Sequence, residues 1–288
     1  MNTIEHLYHF TKSIDILIEI FENGFKPSYA KEQLDARNIL LPMISFSNIL
    51  LRDVGDKEVL FYGNYAIGFQ REWGIERKLN PVLYTYPNGD LQNGVNTIIE
   101  HSVFVSAVNK YHDYFKINTE KQWKFSNQIQ LTNTSKEALN IIDYISLHYD
   151  EELVEHLSNW AKKVHYTNLN FIRLTKPYEV INSKGEKFIA YNDREWRRTY
   201  PDLEIFFEDT NVDEYKEWVS KQKPHFHEND LILDFFKEEI KVIMVKEENE
   251  IPLIEDYLSN RYSTDIKALT KDNLLKIGTK EELIKLGF

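Results

Sequence analysis

The first half of the chain alternates between short apolar runs and amphipathic segments. Residues 5–11 (EHLYHFT) are rich in aromatic side chains and predict a strand. Behind Ser13, a good N-cap residue, apolar side chains recur at helical spacing over residues 14–21 and predict a helix. Gly24 is suited to the left-handed position that ends such a helix. Residues 26–39 are polar, so we expect an exposed connection there.

Strand signals continue up to about residue 86. Residues 40–47 (LLPMISFS), 65–69 (YAIGF) and 81–86 (PVLYTY) are apolar runs of the length expected for buried strands. Residues 70–79 (QREWGIERKL) predict a short helix between the second and third of these runs. The pattern therefore indicates a sheet with at least one helix beside it.

The middle of the chain has a helical period instead. Isoleucine and valine over residues 98–108, and isoleucine, leucine and tryptophan over residues 138–160, recur at helical spacing. We therefore predict a helical insertion over residues 90–165, as a subdomain within a single domain that spans residues 1–288.

Strand patterns return after residue 165. The apolar segments 171–181 and 187–200 flank an Asn-Ser-Lys-Gly turn signal and predict a hairpin. Residues 231–235 and 240–246 predict two further strands.

Helices are expected near the C-terminal end. Residues 251–262 predict a helix, and Thr279 with Glu282 three residues later forms a capping box for a last short helix. Strands at both ends, with helices between and beside them, predict an α+β fold around a mixed or antiparallel sheet.

Composition narrows the classes of protein that fit this pattern. The 288 residues are 42% hydrophobic and 28% charged, which is enough apolar material for a core. The net charge of -11 argues against a duplex-DNA binder, and the absence of cysteine excludes disulfides and thiolate chemistry. Residues 1–12 have no signal-peptide pattern, and no apolar stretch reaches the roughly 20 residues that a membrane span needs. We therefore expect a cytoplasmic protein.

Three short segments carry residues that could support chemistry. His9 ends a strand beside Thr11, where its ring could bind a ligand, but the favoured interpretation is a partly buried histidine bonded to backbone. Ser45 and Ser47 share one side of a strand between apolar neighbours and face either a site or solvent.

The third segment is acidic. If residues 193–198 are extended, Asp193 and Glu195 share a face, where they would raise each other's proton affinity or stabilise a developing positive charge. The alternative is a solvated strand whose charges pair across the sheet. In the segment His225–Glu228, His225 and His227 could reach one ion if the backbone is extended, but no third protein ligand is identifiable, so no metal is expected.

Several blocks along the chain together resemble the AbiGi family of abortive phage resistance proteins. They are LYHFTK, PMISFSNILL, YGNYAIGFQREWG, NPVLYTY, DREWR and FKEEIKVIMV. The resemblance implies antiviral defence by abortive infection, as the antitoxin of a toxin–antitoxin pair whose toxin resembles nucleotidyltransferases. The expected partner is a cognate toxin or antitoxin protein.

Three landmarks occur in order along the chain: His9 with Thr11, then Ser45 with Ser47, then Asp193-x-Glu195. In this order they give a more distant resemblance to ADP-ribosyltransferases of the DarT and diphtheria-toxin type. It implies an ADP-ribosyltransferase-like fold with NAD as substrate and a protein or nucleic-acid acceptor. The residues implied to bind NAD are His9, Thr11, Ser45, Ser47, Tyr62 and Tyr65. Glu195 would then be the catalytic carboxylate, and Asp193 would orient the acceptor.

Two main hypotheses therefore follow from the sequence. In the first, the chain transfers ADP-ribose from NAD during phage defence. In the second, it is a non-catalytic antitoxin that covers a basic face of its toxin with an acidic surface. A metal-dependent nuclease or hydrolase that uses His225, His227 and Glu228 is a third hypothesis.

Overall fold

A computed structural model describes residues 5–34, 37–55, 62–86, 89–99, 151–181, 187–208, 213, 216–217, 231–263, 265–271 and 274–288. The chain divides into two compact units: unit 1 is Met1–Tyr84 with Lys176–Phe288, and unit 2 is Thr85–Thr175. Residues 90–99 and 151–173 are helical. The predicted helices over 101–108 and 138–150 lie outside the described residues, so the helical insertion as a whole stays a prediction.

The main sheet belongs to unit 1 and contains nine strands among the described residues. These strands are β1 His6–Thr11, β2 Ser28–Leu34, β3 Arg37–Ser47, β4 Tyr65–Gln70, β5 Asn80–Pro81, β10 Glu195–Thr199, β11 Phe206–Phe207, β12 Ile240–Val245 and β13 Lys276–Thr279. Their order is β13-β12-β4-β1-β3-β10-β5, and both β2 and β11 also pair with β3. The pairs are antiparallel except for β12 with β13. The prediction of an α+β fold with a mostly antiparallel sheet is therefore confirmed.

The remaining elements are short strands and helices. The strands β6 Leu83–Thr85 and β7 Thr175–Pro177 form a two-stranded sheet, as do β8 Glu179–Ile181 and β9 Lys187–Ile189. The described α-helices with defined bounds are α1 Ile14–Asn23, α2 Arg71–Glu76, α3 Glu151–Arg173, α4 Ile251–Tyr262, α5 Ile266–Lys271 and α6 Lys280–Lys285. Within the part of the chain that the structure describes, no helix has the length and apolar character needed to cross a membrane.

Helix ends follow the sequence signals closely. The Ser13 side chain accepts a hydrogen bond from the backbone N–H of Ile16, which caps α1. Gly24 has the predicted positive φ, 70°, but its ψ of -176° is extended and not left-handed helical. The capping box of α6 is confirmed, because Thr279 and Glu282 each accept a hydrogen bond from the other's backbone N–H.

The two faces of the main sheet are packed differently. On one face, called the core face below, Leu7, Phe46 and Phe69 pack in a single large cluster that also includes Leu17 of α1 and Leu258 of α4. On the opposite face, Tyr8, Met244 and Leu283 belong to a second, smaller apolar cluster. This second cluster leaves room on the opposite face, over β3 and β10, for polar side chains.

The segment 26–39 was expected to be exposed, and this prediction is wrong. Residues 28–34 form β2, which pairs with β3 from Ser28 opposite Met43 to Leu34 opposite Arg37. Tyr29 and Glu32 are buried in this hairpin. Local polarity is a poor guide here, because the hydrogen bonds of a long hairpin can bury charged side chains that find partners elsewhere in the sheet.

Three strand predictions in the second half also need correction. Residues 171–173 complete α3, and strand structure begins only at β7. The predicted strand 187–200 is broken by a 3₁₀ turn at Ala190–Asp193 and by Arg194, whose φ is 43°. Residues 231–235 form only an isolated bridge, between Leu233 and Phe25. The predicted β8–β9 hairpin is confirmed, whereas its turn lies outside the described residues.

Candidate functional site

Strand β10 brings charged side chains onto the face of the sheet opposite the core. Glu195 lies opposite Ser47 of β3, and Arg197 lies opposite Ser45. Trp196 packs against the cluster of the core face. Because successive residues of a strand point to opposite faces, the side chains of Glu195 and Arg197 lie on the other side of the sheet.

Four charged residues form a connected group there, called the ionic cluster below: Glu32, Lys176, Glu195 and Arg197. Lys176 Nζ lies 2.6 Å from Glu195 Oε2, and Arg197 Nε lies 2.7 Å from Glu195 Oε1. Arg197 Nη2 also lies 2.6 Å from Oε1 of Glu32. The Arg197 side chain is fully buried and that of Lys176 is only 12% exposed. Each oxygen of the Glu195 carboxylate is therefore held by a different buried cation.

The cations set the charge state of Glu195. Burial alone would raise the pKa of this carboxyl group, but the charges of Arg197 and Lys176 outweigh burial and lower the pKa to about 2. Burial would likewise lower the pKa of Lys176 and of Arg197, but the negative charges of Glu195 and Glu32 raise both above their ordinary values. Glu195, Lys176 and Arg197 are therefore charged at neutral pH.

Two tyrosines border the ionic cluster. The Tyr62 hydroxyl donates a hydrogen bond to Asp193 Oδ2, and the Tyr84 hydroxyl accepts one, 2.8 Å long, from the backbone N–H of Glu195. Burial, followed by the negative charge of Asp193, raises the pKa of Tyr62 above its ordinary value. Glu195 also raises the pKa of Tyr62, so the two acidic residues lie near the same hydroxyl.

Gly63 sets the backbone next to Tyr62. Its φ is 109°, and a Cβ atom at this position would lie 1.9 Å from the carbonyl oxygen of Thr11. Only glycine combines this φ with so close an approach of two backbones. The close approach of Gly63 to the end of β1 therefore fixes the backbone position from which the Tyr62 side chain extends.

The structure places His9 on the core face, away from Glu195. Its ring lies 4.9 Å from that of Phe25 and 5.4 Å from that of Phe46, and Nδ1 lies 2.8 Å from the carbonyl oxygen of Ser45. Burial lowers the pKa of His9 to about 4, so the ring is neutral at physiological pH. Of the two interpretations of His9 from the sequence, the buried histidine bonded to backbone agrees with this environment.

The other predicted NAD-binding residues divide between the two faces. Ser45 and Ser47 lie opposite Arg197 and Glu195 in the β3–β10 register and therefore share the face of the ionic cluster. The Thr11 hydroxyl donates to the carbonyl oxygen of Ser13, and Tyr65 packs in the core cluster with its hydroxyl 2.7 Å from Glu250 Oε1. The structure thus brings Ser45, Ser47, Tyr62, Asp193 and Glu195 to one side of the sheet, and it leaves His9, Thr11 and Tyr65 on the other.

The expected relation between Asp193 and Glu195 is corrected by the backbone. Asp193 ends a 3₁₀ turn, Arg194 has a positive φ, and only Glu195 is extended. Asp193 and Glu195 therefore do not share the face of one extended strand, and the charges of Arg197 and Lys176 lower the pKa of Glu195. The alternative interpretation, in which strand charges pair with each other, describes Glu195 and Arg197 correctly, but this pairing is buried and not solvated.

Sequence reasoning missed Glu32, Tyr84, Lys176 and Arg197. One signal was present: Arg197 follows Glu195 by two residues in a strand, so the two side chains had to share a face. Glu32 lies in the unpredicted strand β2, and Lys176 is distant in sequence from Glu32 and Arg197. No local pattern connects these residues.

The arrangement limits the chemistry available to Glu195. A general base works best with a pKa near the working pH, whereas the pKa of Glu195 is about 2. A carboxylate that is already bonded to two cations also stabilises a developing positive charge weakly. Among the described residues, no group of three or more histidine, aspartate or glutamate side chains could hold a metal ion. His225, His227 and Glu228 lie outside those residues.

Comparison with known proteins gives one result. The sequence model of a protein family described as "Putative abortive phage resistance protein AbiGi, antitoxin" matches residues 26–246. Neither the curated proteins nor the solved structures include a significant match to the chain. The matched range contains β2, β3, β4, β10 and β12, together with all four residues of the ionic cluster. Because the match covers most of the sequence, the chain belongs to the AbiGi family of abortive phage resistance proteins.

Proposed function

We propose that this chain is a non-catalytic antitoxin, which binds and neutralises the toxin of an abortive-infection pair. The description of its family supports the proposal. The observation that carries it is that Lys176 and Arg197 hold both oxygens of Glu195, the expected catalytic carboxylate. His9, the expected NAD-binding residue, lies on the other face of the sheet, packed between Phe25 and Phe46. The proposed partner is the cognate toxin protein.

Charge supports the same proposal. The chain carries 46 acidic and 35 basic residues, which gives a net charge of -11. A toxin that acts on nucleic acid or nucleotides needs a positively charged face to meet phosphates. An acidic protein is attracted to such a face and associates with it faster at low salt. We therefore propose that charge brings the toxin and this chain together.

The test is a titration of the toxin encoded beside this chain. A binding protein must abolish toxin activity in linear proportion to its amount, ending at a fixed molar ratio, with no NAD present. Toxin and antitoxin should also elute together in size-exclusion chromatography. Neutralisation by far less than one equivalent, or a requirement for NAD, would contradict the proposal, because both indicate turnover.

An ADP-ribosyltransferase with NAD as its substrate remains a second proposal. One arrangement favours it: the strands that carry the three landmarks, β1, β3 and β10, are neighbours in the sheet, and Ser47 lies opposite Glu195. Incubation with labelled NAD, protein and nucleic acid tests it directly. Label transfer that is lost on Glu195→Gln but kept in a variant of equal stability would support this activity, and the absence of transfer by the wild-type chain would count against it.

A further inference from the structure

The chain leaves unit 1 at Tyr84 and returns to it at Lys176, and both residues bond to Glu195. The Tyr84 hydroxyl accepts the backbone N–H of Glu195 at 2.8 Å. Lys176 Nζ lies 2.6 Å from the Glu195 carboxylate. One residue of β10 therefore holds both chain ends between which unit 2 is inserted. These ends, residues 83–84 and 176–177, are called the stem below.

Glu195 is itself fixed within the main sheet. It pairs with Ser47 of β3, and its carbonyl oxygen accepts a backbone hydrogen bond of 2.9 Å from Val82. Arg197 holds the second carboxylate oxygen at 2.7 Å and continues to Glu32 of β2. The anchor therefore involves strands β2, β3 and β10 of the main sheet.

Strand pairing alone is a weak means of keeping the stem closed. Strands β6 and β7 pair with each other, but each has only three residues. An isolated two-stranded pair is at best marginally stable in water. Short pairs of this kind open locally unless tertiary contacts hold them. The contacts of Tyr84 and Lys176 with Glu195 are tertiary contacts of this kind.

We propose that Glu195 is a positioning residue that closes the stem of unit 2, with Lys176 and Tyr84 as its two points of attachment. This role is independent of toxin binding and of NAD. A buried ion pair adds little net stability to a fold, but a lost partner leaves the other charge without compensation. The ionic cluster is thus better explained by its holding the two chain segments of the stem together than by a gain in the free energy of unfolding.

Hydrogen–deuterium exchange of the full chain tests the proposal. Lys176→Met removes the charged attachment, leaving Arg197 to neutralise Glu195, and Tyr84→Phe removes one hydroxyl group without a change of shape. We expect exchange of the backbone amides of residues 83–85, Thr175 and Lys176 to become at least about tenfold faster in each variant. Exchange in β1 and β4 should stay as in the wild type, because neither strand pairs with β6 or β7.

Two further variants test whether opening of the stem depends on the charge of Lys176 at this place in the fold. Lys26→Met is the matched control, because Lys26 also pairs with a glutamate of unit 1, Glu19, at 3.0 Å but far from the stem in sequence. It should leave exchange in the stem unchanged. Lys176→Arg keeps the charge and should restore protection. If Lys176→Met and Tyr84→Phe both exchange like the wild type at the stem, or if Lys26→Met opens it equally, the proposal is wrong.

Discussion

The two faces of the main sheet bury ionisable residues in opposite ways. On the core face His9 lies among phenylalanine rings, and burial lowers its pKa to about 4, so it is buried as a neutral group. On the other face Glu195 is equally enclosed, but Lys176 and Arg197 keep it charged with a pKa of about 2. Both pKa values lie below their ordinary values. Burial disfavours the charged form of His9, whereas the neighbouring cations stabilise the charged form of Glu195.

The difference shows which face could carry function. A neutral histidine bonded to a backbone carbonyl is an ordinary component of a core. A buried group of four charges costs desolvation free energy and is retained for a reason other than net stability in many proteins. Here the reason that the geometry offers is the attachment of the stem, through Lys176 and Tyr84.

The largest effect is expected for Arg197→Met, which leaves the buried carboxylates of Glu195 and Glu32 short of a cation. The free energy of unfolding should fall by about 3–5 kcal/mol. Urea denaturation followed by circular dichroism measures it. A loss below about 1 kcal/mol would mean that water enters the cluster readily, so that the two faces differ less than their burial indicates.

On the core face Leu7→Ala gives the corresponding apolar deletion. Leu7 is fully buried, and its side chain packs against the position of Gly74 on α2. We expect a loss of about 2–5 kcal/mol from the transfer and cavity terms. This loss should be the same at low and high salt in urea titrations. A strong salt dependence would contradict the assignment of this face as purely apolar packing.

The pH dependence of stability should separate the two faces. The native pKa of His9, about 4, lies below its ordinary value of 6.5, so the unfolded chain binds the proton first and stability falls as pH drops from 6.5 to 4. For Glu195 the native pKa of about 2 lies below 4.5, and stability falls between pH 4.5 and 2.

Variants identify each pH window. His9→Gln should flatten the stability profile, measured by urea titrations at fixed pH, mainly above pH 4.5, and Glu195→Gln mainly below it. If either variant changes the opposite window instead, the assignment of the two groups is wrong.

The smallest effect is expected at the surface. Lys26→Met breaks the Lys26–Glu19 pair, in which the Glu19 side chain is 51% exposed. Exposed ion pairs contribute about 0.2–1 kcal/mol, so the midpoint of urea unfolding should change little. Compared with Lys176→Met, the same substitution at a lysine of the ionic cluster, this variant shows how much of the effect comes from burial.

The sequence by itself determined the local elements whose signals lie within a few residues. These include β1, α1 with its Ser13 cap, β4, α2, β12, α4 and the capping box of α6. It also determined the fold class and, through blocks spread along the chain, the family. Periodicity and capping residues act over one or two turns, so they can be found without knowing the neighbours in space.

Only the tertiary structure decided which side of the sheet each candidate residue occupies and what it contacts. His9 and Glu195 looked like members of one site because their order along the chain fitted, yet alternation along β1 and β10 places them on opposite faces. Arg197 meets Glu32 across 165 positions of sequence, and Lys176 meets Glu195 across 19. Pairing register and long-range burial set such contacts, and neither is encoded in a local pattern.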